Sequence, residues 1–232
     1  MNLQQRFLLS EKLRLQSRRR IAMANRIILL SGATGVGTSS FSFELAKLLH
    51  IPTVIGTDAV REVLRSTLQP EINPALMTST YLVGQTEHYE SKSEETKKAE
   101  IIRGYKMQSH PISVGVEGVI KRAVKENVPL IAEGVHIIPG KFRDSDRYIE
   151  NQGRFLECHL FIEDPELHKQ RFIKRSIDAP KRSLDHYLSN FQEIRWIHDY
   201  LTDKARAKNI LLVENSLPLE EGVKRIIKEY YS

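Results

Sequence analysis

Gly32-Ala33-Thr34-Gly35-Val36-Gly37-Thr38-Ser39 decides the fold. A glycine, four residues, a second glycine, one residue and then a hydroxyl is the spacing of a Walker A phosphate-binding loop. The flanks fit that reading. Upstream, Arg26-Ile27-Ile28-Leu29-Leu30-Ser31 is a short apolar run with β-branched residues, which predicts a buried parallel strand over 26–31. Downstream, Phe41, Leu45, Leu48 and Leu49 share one face of a helix predicted over 37–49. Strand, glycine loop and helix together turn successive N–H groups and a helix N-terminus toward an anion. Gly32, Thr34, Gly35, Val36, Gly37, Thr38, Ser39 and Ser40 are therefore the candidate nucleotide-binding residues. Ser39 is placed to offer its hydroxyl to Mg²⁺.

The loop breaks its consensus once: Thr38 stands where a lysine is expected. Lys47, nine residues on, cannot replace it, because a helix rises 1.5 Å per residue and puts it about 13 Å away. A cation must come from elsewhere, or the loop works with backbone donors and Mg²⁺ alone.

Composition narrows the function classes. With 232 residues, 41% of them hydrophobic, the chain suits one sizeable α/β domain over 25–232. The net charge of +6 points toward nucleic acid until its distribution is read. Residues 1–24 carry Arg6, Lys12, Arg14, Arg18, Arg19 and Arg20 against Glu11, a net +5 that leaves the body at +1. That segment reads as a basic N-terminal extension, disordered or helical, and nucleic acid is not the expected partner. Cys158 is the single cysteine, which excludes an intrachain disulfide and a cysteine metal cluster. No stretch approaches 18 apolar residues and no secretory h-region stands at the N-terminus, so the expected place is the cytoplasm, away from membranes.

Further strands are predicted at 52–56, 128–132, 156–162 and 209–213. Helices are predicted at 58–68, 75–105 with breaks, 111–126, 165–176, 188–207 and 218–230, with Pro111 and Pro218 in first turns. Five apolar strands alternating with helices imply a parallel sheet covered on both faces. The expected class is α/β, a P-loop NTPase fold with a five-stranded parallel sheet and a helical lid, like the nucleoside monophosphate kinases.

Ligands of such sheets lie beyond the carboxyl ends of the strands. Asp58 follows the second strand, with Thr57 or Asp58 expected to cap the next helix. Asp58, Arg61 and Arg65 fall at i, i+3 and i+7, one helical face. A carboxylate there can take a proton from an attacking hydroxyl or hold Mg²⁺, and the arginines can clamp an acidic substrate. The third strand leads into Glu133-Gly134-Val135-His136. Glu133 suits a Walker B role, holding Mg²⁺, or the orientation of a substrate hydroxyl. His136 suits contact with an anionic substrate or a bond to a loop carbonyl. Arg171 and Arg175, at i and i+4 on the helix after the fourth strand, lead into a polar loop with Lys181 and Arg182. Lid arginines of this kind stabilise charge on a transferring phosphoryl group, and they are the natural stand-in for the absent lysine.

Gly35-Val36-Gly37-Thr38-Ser39, Val54-Ile55-Gly56-Thr57-Asp58 with Arg61-Glu62-Val63, Gly118-Val119-Ile120-Lys121-Arg122-Ala123 and Glu133-Gly134-Val135-His136 together resemble the 2-phosphoglycerate kinase family. The resemblance runs from about residue 26 to the C-terminus, and a threonine at the lysine position belongs to that family's pattern. It implies transfer of the ATP γ-phosphoryl group to the 3-hydroxyl of 2-phosphoglycerate, giving 2,3-bisphosphoglycerate. On that reading Asp58 acts as base or orienter, and Ser39 and Glu133 manage Mg²⁺. Arg61, Arg65, His110, Lys121 and Arg122 help neutralise a small anionic acceptor. Family members often carry an N-terminal nucleotide-binding regulatory domain, where this chain shows a short basic tail. Related domains occur in plant proteins tied to inositol-phosphate metabolism, so a kinase of an inositol phosphate or sugar acid is an alternative. A non-catalytic nucleotide-binding regulator is another, and a homodimer stays open.

Overall fold

The computed structural model describes residues 27–86, 88–142, 155–178 and 184–231. The expectations for residues 1–24, and for Lys181 and Arg182, lie outside them.

Strand β1 (Ile27–Ser31) runs into the glycine loop and helix α1 (Thr38–Leu49); β2 (Thr53–Gly56) follows and passes directly into α2 (Thr57–Thr67). Short 3₁₀ turns at Pro74–Met77 and Tyr89–Ser91 lead to the long α3 (Glu94–Glu126) and β3 (Leu130–Gly134). Then come β4 (Phe155–Phe161), α4 (Pro165–Asp178), α5 (Leu184–Ser189), α6 (Phe191–Ala207), β5 (Leu211–Glu214) and α7 (Leu219–Tyr231). All five strands are parallel, in the order β2-β3-β1-β4-β5. The expected P-loop class is the observed one.

β1 is central and buried along its whole length, and its side chains alternate between two layers. Ile28 and Leu30 pack with Phe41, Leu45 and Leu49 of α1 and with Val223, Ile226 and Tyr230 of α7. Ile27 and Leu29 pack with Ile112, Val116 and Ile120 of α3. A strand covered on both faces needs an unbroken apolar sequence, which is what Ile-Ile-Leu-Leu supplies.

Four local expectations fail. The helix begun at Pro111 is instead the middle of the continuous α3. Pro111 removes the N–H that would reach the carbonyl of Met107, but Met107 is exposed and water can satisfy that oxygen. The buried stripe Ile101, Tyr105, Gln108, Ile112, Val116, Ile120, Ala123 runs through the proline without losing helical period, so packing on both sides outweighs the lost bond. The helix expected over 75–105 with breaks is two 3₁₀ turns until Glu94, where α3 begins after Ser93, whose hydroxyl accepts from the Thr96 N–H as an N-cap. Pro218 precedes α7 instead of entering its first turn. The predicted 188–207 helix is likewise two pieces, parted at Asn190.

Candidate active site

The carboxyl ends of β1, β2 and β3 are in register, Ser31 beside Gly134 and Gly56 beside Glu133. They open into a cavity of about 450 Å³. Three groups of residues line it: the glycine loop, the residues that leave β2 and β3, and one face of α4.

The loop contributes Gly32, Ala33, Thr34, Gly35, Gly37, Thr38, Ser39 and Ser40. Gly35 and Gly37 have φ of 92° and 97°, a left-handed conformation that a side chain would strain. Val36 does not belong with the candidates. Its side chain is fully buried in the core, its N–H donates to the Ala33 carbonyl, and it is absent from the cavity wall. Its sequence position gave no sign that a turn bond inside the loop would use its N–H.

Thr38 does not imitate the lysine it replaces. It is buried, and its hydroxyl donates to Glu133 Oε2 at 2.5 Å, while the Ser39 hydroxyl donates to Glu133 Oε1 at 3.0 Å. Glu133 is thus tied to the loop by both oxygens. Burial pushes its pKa up, the two hydroxyl bonds pull it down, and the nearby Asp58 raises it further; the net direction is upward. Gly56 makes room for this carboxylate: a Cβ there would lie 3.0 Å from Glu133 Oε1.

α2 begins at the cavity. Its N-cap is Gly56, with no side-chain cap, so the expected capping by Thr57 or Asp58 is corrected. Thr57 and Asp58 line the wall instead. The Asp58 side chain is 72% exposed, and its only close cation is Arg61 Nη1 at 3.8 Å among the described residues. Arg61, one turn on, is held by Thr80 Oγ1 at 3.4 Å and by Glu62 at 3.2 Å. Arg65 pairs with Glu62, and both Arg61 and Arg65, expected at the site, lie outside the cavity wall.

His136 is placed beneath the site, not in it. It is buried, with Nε2 near Gln108 Oε1 (3.0 Å) and Thr80 Oγ1 (3.1 Å), and Nδ1 near Thr57 Oγ1 (3.1 Å). Gln108 donates its amide N–H groups to the carbonyls of Ala75 and Thr78, so its oxygen faces His136 and Nε2 carries the proton. Burial and the Arg61 charge hold His136 near pKa 3, so it is neutral. Its Nδ1 lone pair accepts from Thr57 and cannot form an ion pair with Asp58, 4.0 Å away. His136 therefore does not tie up the Asp58 carboxylate, which faces the cavity.

α4 supplies Arg171, Lys174 and Arg175 to the wall opposite Asp58's helix. Arg171 donates to the Asn215 carbonyl at 2.8 Å. These are the cations that the loop itself lacks. Lys174 belongs to the same basic run and, at i+3 from Arg171, shares its helical face, but only Arg171 and Arg175 were expected at the site.

Arg122 is not brought to the cavity. It sits near the end of α3, which leads into the start of β3, so it lies at the opposite edge of the sheet, paired with Glu126 at 2.9 Å. Lys121 pairs with Glu117, and His110 lines a separate hollow with Lys141. Sequence reading also missed His168 and Asn215, whose side chains meet the carbonyls of Thr34 and Val36. A histidine 134 residues from its partner leaves no local signal.

No protein-family model matches the chain. Curated relatives do. A 2-phosphoglycerate kinase of Methanococcus vannielii is 36% identical over 202 residues, covering 87% of this chain and 63% of the relative. The chain is similar to proteins named 2-phosphoglycerate kinase. Another, from Methanopyrus kandleri, is 39% identical over 202 residues, covering 87% of this chain and 59% of its own length. A third, from Pyrococcus horikoshii, is 38% identical over 207 residues, covering 88% and 63%. The chain thus spans less than two thirds of the 2-phosphoglycerate kinases it matches. No helix among the described residues is long and apolar enough to cross a membrane.

Proposed function

We propose that this chain is an ATP-dependent kinase of the cytoplasm that phosphorylates the 3-hydroxyl of 2-phosphoglycerate, giving 2,3-bisphosphoglycerate. One observation carries the chemistry: a phosphate loop, an exposed carboxylate and three cations line the same cavity. The acceptor comes from the name that the relatives share.

The loop holds the β- and γ-phosphates by backbone N–H groups. Asp58 accepts the proton of the acceptor hydroxyl as its oxygen bonds to the γ-phosphorus and the bond to the β-phosphate oxygen breaks. Arg171, Lys174 and Arg175 neutralise charge on the phosphoryl group in transit. Arg61, 3.8 Å from Asp58 and behind the cavity wall, adds positive charge on the acceptor side. The residues fit Mg²⁺ of the kind carried by phosphate oxygens: Ser39 and Glu133 stand together at the loop, and no group of three or more acidic, histidine or cysteine ligands exists among the described residues. When bound, that ion would supply charge neutralisation, with Ser39 as its protein ligand and Glu133 behind it.

Incubation with ATP, Mg²⁺ and a panel of 2-phosphoglycerate, 3-phosphoglycerate, glycerate, inositol and inositol monophosphates tests the reading. ADP release with 2-phosphoglycerate alone, lost in Asp58→Ala, is expected. Release with another acceptor moves the substrate and keeps the mechanism. Nucleotide binding without release under any acceptor replaces the kinase by a regulator.

A further inference from the structure

The peptide planes of the glycine loop are held from beneath by two side chains. His168 of α4 is fully buried, and its Nε2 lies 2.9 Å from the Thr34 carbonyl oxygen, so Nε2–H donates. Asn215, also buried, donates Nδ2–H to the Val36 carbonyl at 2.7 Å. A trans peptide points its carbonyl and its N–H in opposite directions. With the Thr34 and Val36 carbonyls turned down into the protein, the N–H groups of Gly35 and Gly37 are turned up into the cavity. Those residues have positive φ, so the loop forms the concave run of N–H groups that binds anions.

The space below is closed as well. A Cβ on Gly35 would lie 2.9 Å from His168 Nε2 and 2.5 Å from Phe172 Cζ; one on Gly37 would lie 2.9 Å from Asn215 Nδ2. His168 is clamped by stacking on Phe172 (5.3 Å between centroids) and an edge contact with Phe191 (5.4 Å). The main chain of Asn215 is fixed too, its N–H on the Phe161 carbonyl and its carbonyl on Arg171. Both supports therefore come from outside the loop, one from α4 and one from the residue just after β5.

We infer that His168 and Asn215 are positioning residues that hold the phosphate loop in its anion-binding form before nucleotide arrives, in place of the order a loop lysine would impose. This rests on the phosphate-loop reading above. His168 lies one and two turns before Arg171 and Arg175 on α4, so the helix that fixes the loop also presents the cations. Loss of the His168 donor leaves the Thr34 carbonyl without its side-chain partner, which frees that peptide to turn over.

The test follows the backbone amide signals of Gly35 and Gly37 by NMR as inorganic pyrophosphate is added, together with Mg·ATP affinity by calorimetry. In the unaltered protein both amides shift on binding. In His168→Leu and in Asn215→Asp the corresponding amide fails to shift and Mg·ATP binds about tenfold more weakly. His168→Gln, which can still donate, recovers most of the affinity. KM for the acceptor stays near its starting value, a split that a general loss of structure would not give. A His168→Leu protein that melts cooperatively and still shows both amide shifts overturns the inference. So does failure of His168→Gln to outperform His168→Leu. Failure of either amide to respond in the unaltered protein overturns instead the phosphate-loop reading beneath it.

Discussion

The two edges of the sheet carry cavities of nearly equal size and unequal chemistry. The one at the carboxyl ends of the strands measures about 450 Å³; the one at the amino ends of β4 and β5, between Leu156, Asn209–Leu212 and Arg225, measures about 440 Å³. The first is the one at which helices begin. Parallel strands all finish on one edge, and there the helices α1 and α2 begin, so their uncapped N–H groups converge. At the other edge helices end and strands start, and charges such as Arg122 pair with neighbours on their own helix. Volume says little; the direction of the chain says where an anion can be held.

Substitutions can break or sharpen this contrast. The largest effect is expected at Asp58: Asp58→Ala should lower kcat by about 10³-fold with little change in nucleotide affinity, measured by steady-state ADP release. Next, Arg175→Ala should cost about 10²-fold in kcat, because its charge meets the phosphoryl group in transit more than the bound nucleotide. If Arg175→Ala only raises the nucleotide KM, the α4 cations bind and do not assist transfer.

Acid should expose the buried histidines. His136 and His159 are held near pKa 3 and His168 near 4, each mainly by burial. In the unfolded chain each protonates near 6.5, so that state takes up protons first and stability falls as pH drops below 6.5. At pH 5 each costs about 2 kcal/mol, and the midpoint of urea unfolding should fall steeply between pH 6.5 and 5. Glu133 has the opposite sign, since its raised pKa makes the fold easier to protonate there, but it is one group against three. A flat profile over that range would mean that the histidines reach water. The smallest effect is expected at the far edge: Arg122→Ala should change kcat and both KM values less than twofold, and a larger loss would return it to the site.

Much of the candidate site was legible because its signals are local. The glycine spacing, the apolar run before it and the amphipathic helix after it lie within 24 residues and fix strand, loop and helix together. Asp58 and Glu133 were legible because each closes a strand, and strand ends of a parallel sheet share an edge. Arg171 and Arg175 were legible by helical spacing. Arg122 misled because a basic pair on a helix reads the same at either end of the sheet. His136 misled because its place in a loop after β3 does not reveal that Thr57, Thr80 and Gln108 enclose it. Pro111 misled because a proline's local cost is visible and the packing that outweighs it is not.

The sequence by itself determined that a phosphate loop follows the first strand, that the sheet is parallel and doubly covered, and that a threonine occupies the lysine position. These rest on short-range pattern, where periodicity and glycine geometry speak directly. Only the tertiary structure decided that β3 lies between β1 and β2, that Thr38 turns to Glu133, that Lys174 joins the arginines over the loop, and that His168 and Asn215 hold its carbonyls. Those contacts join residues as much as 179 positions apart, and no local rule links such residues until burial of the core brings their elements together.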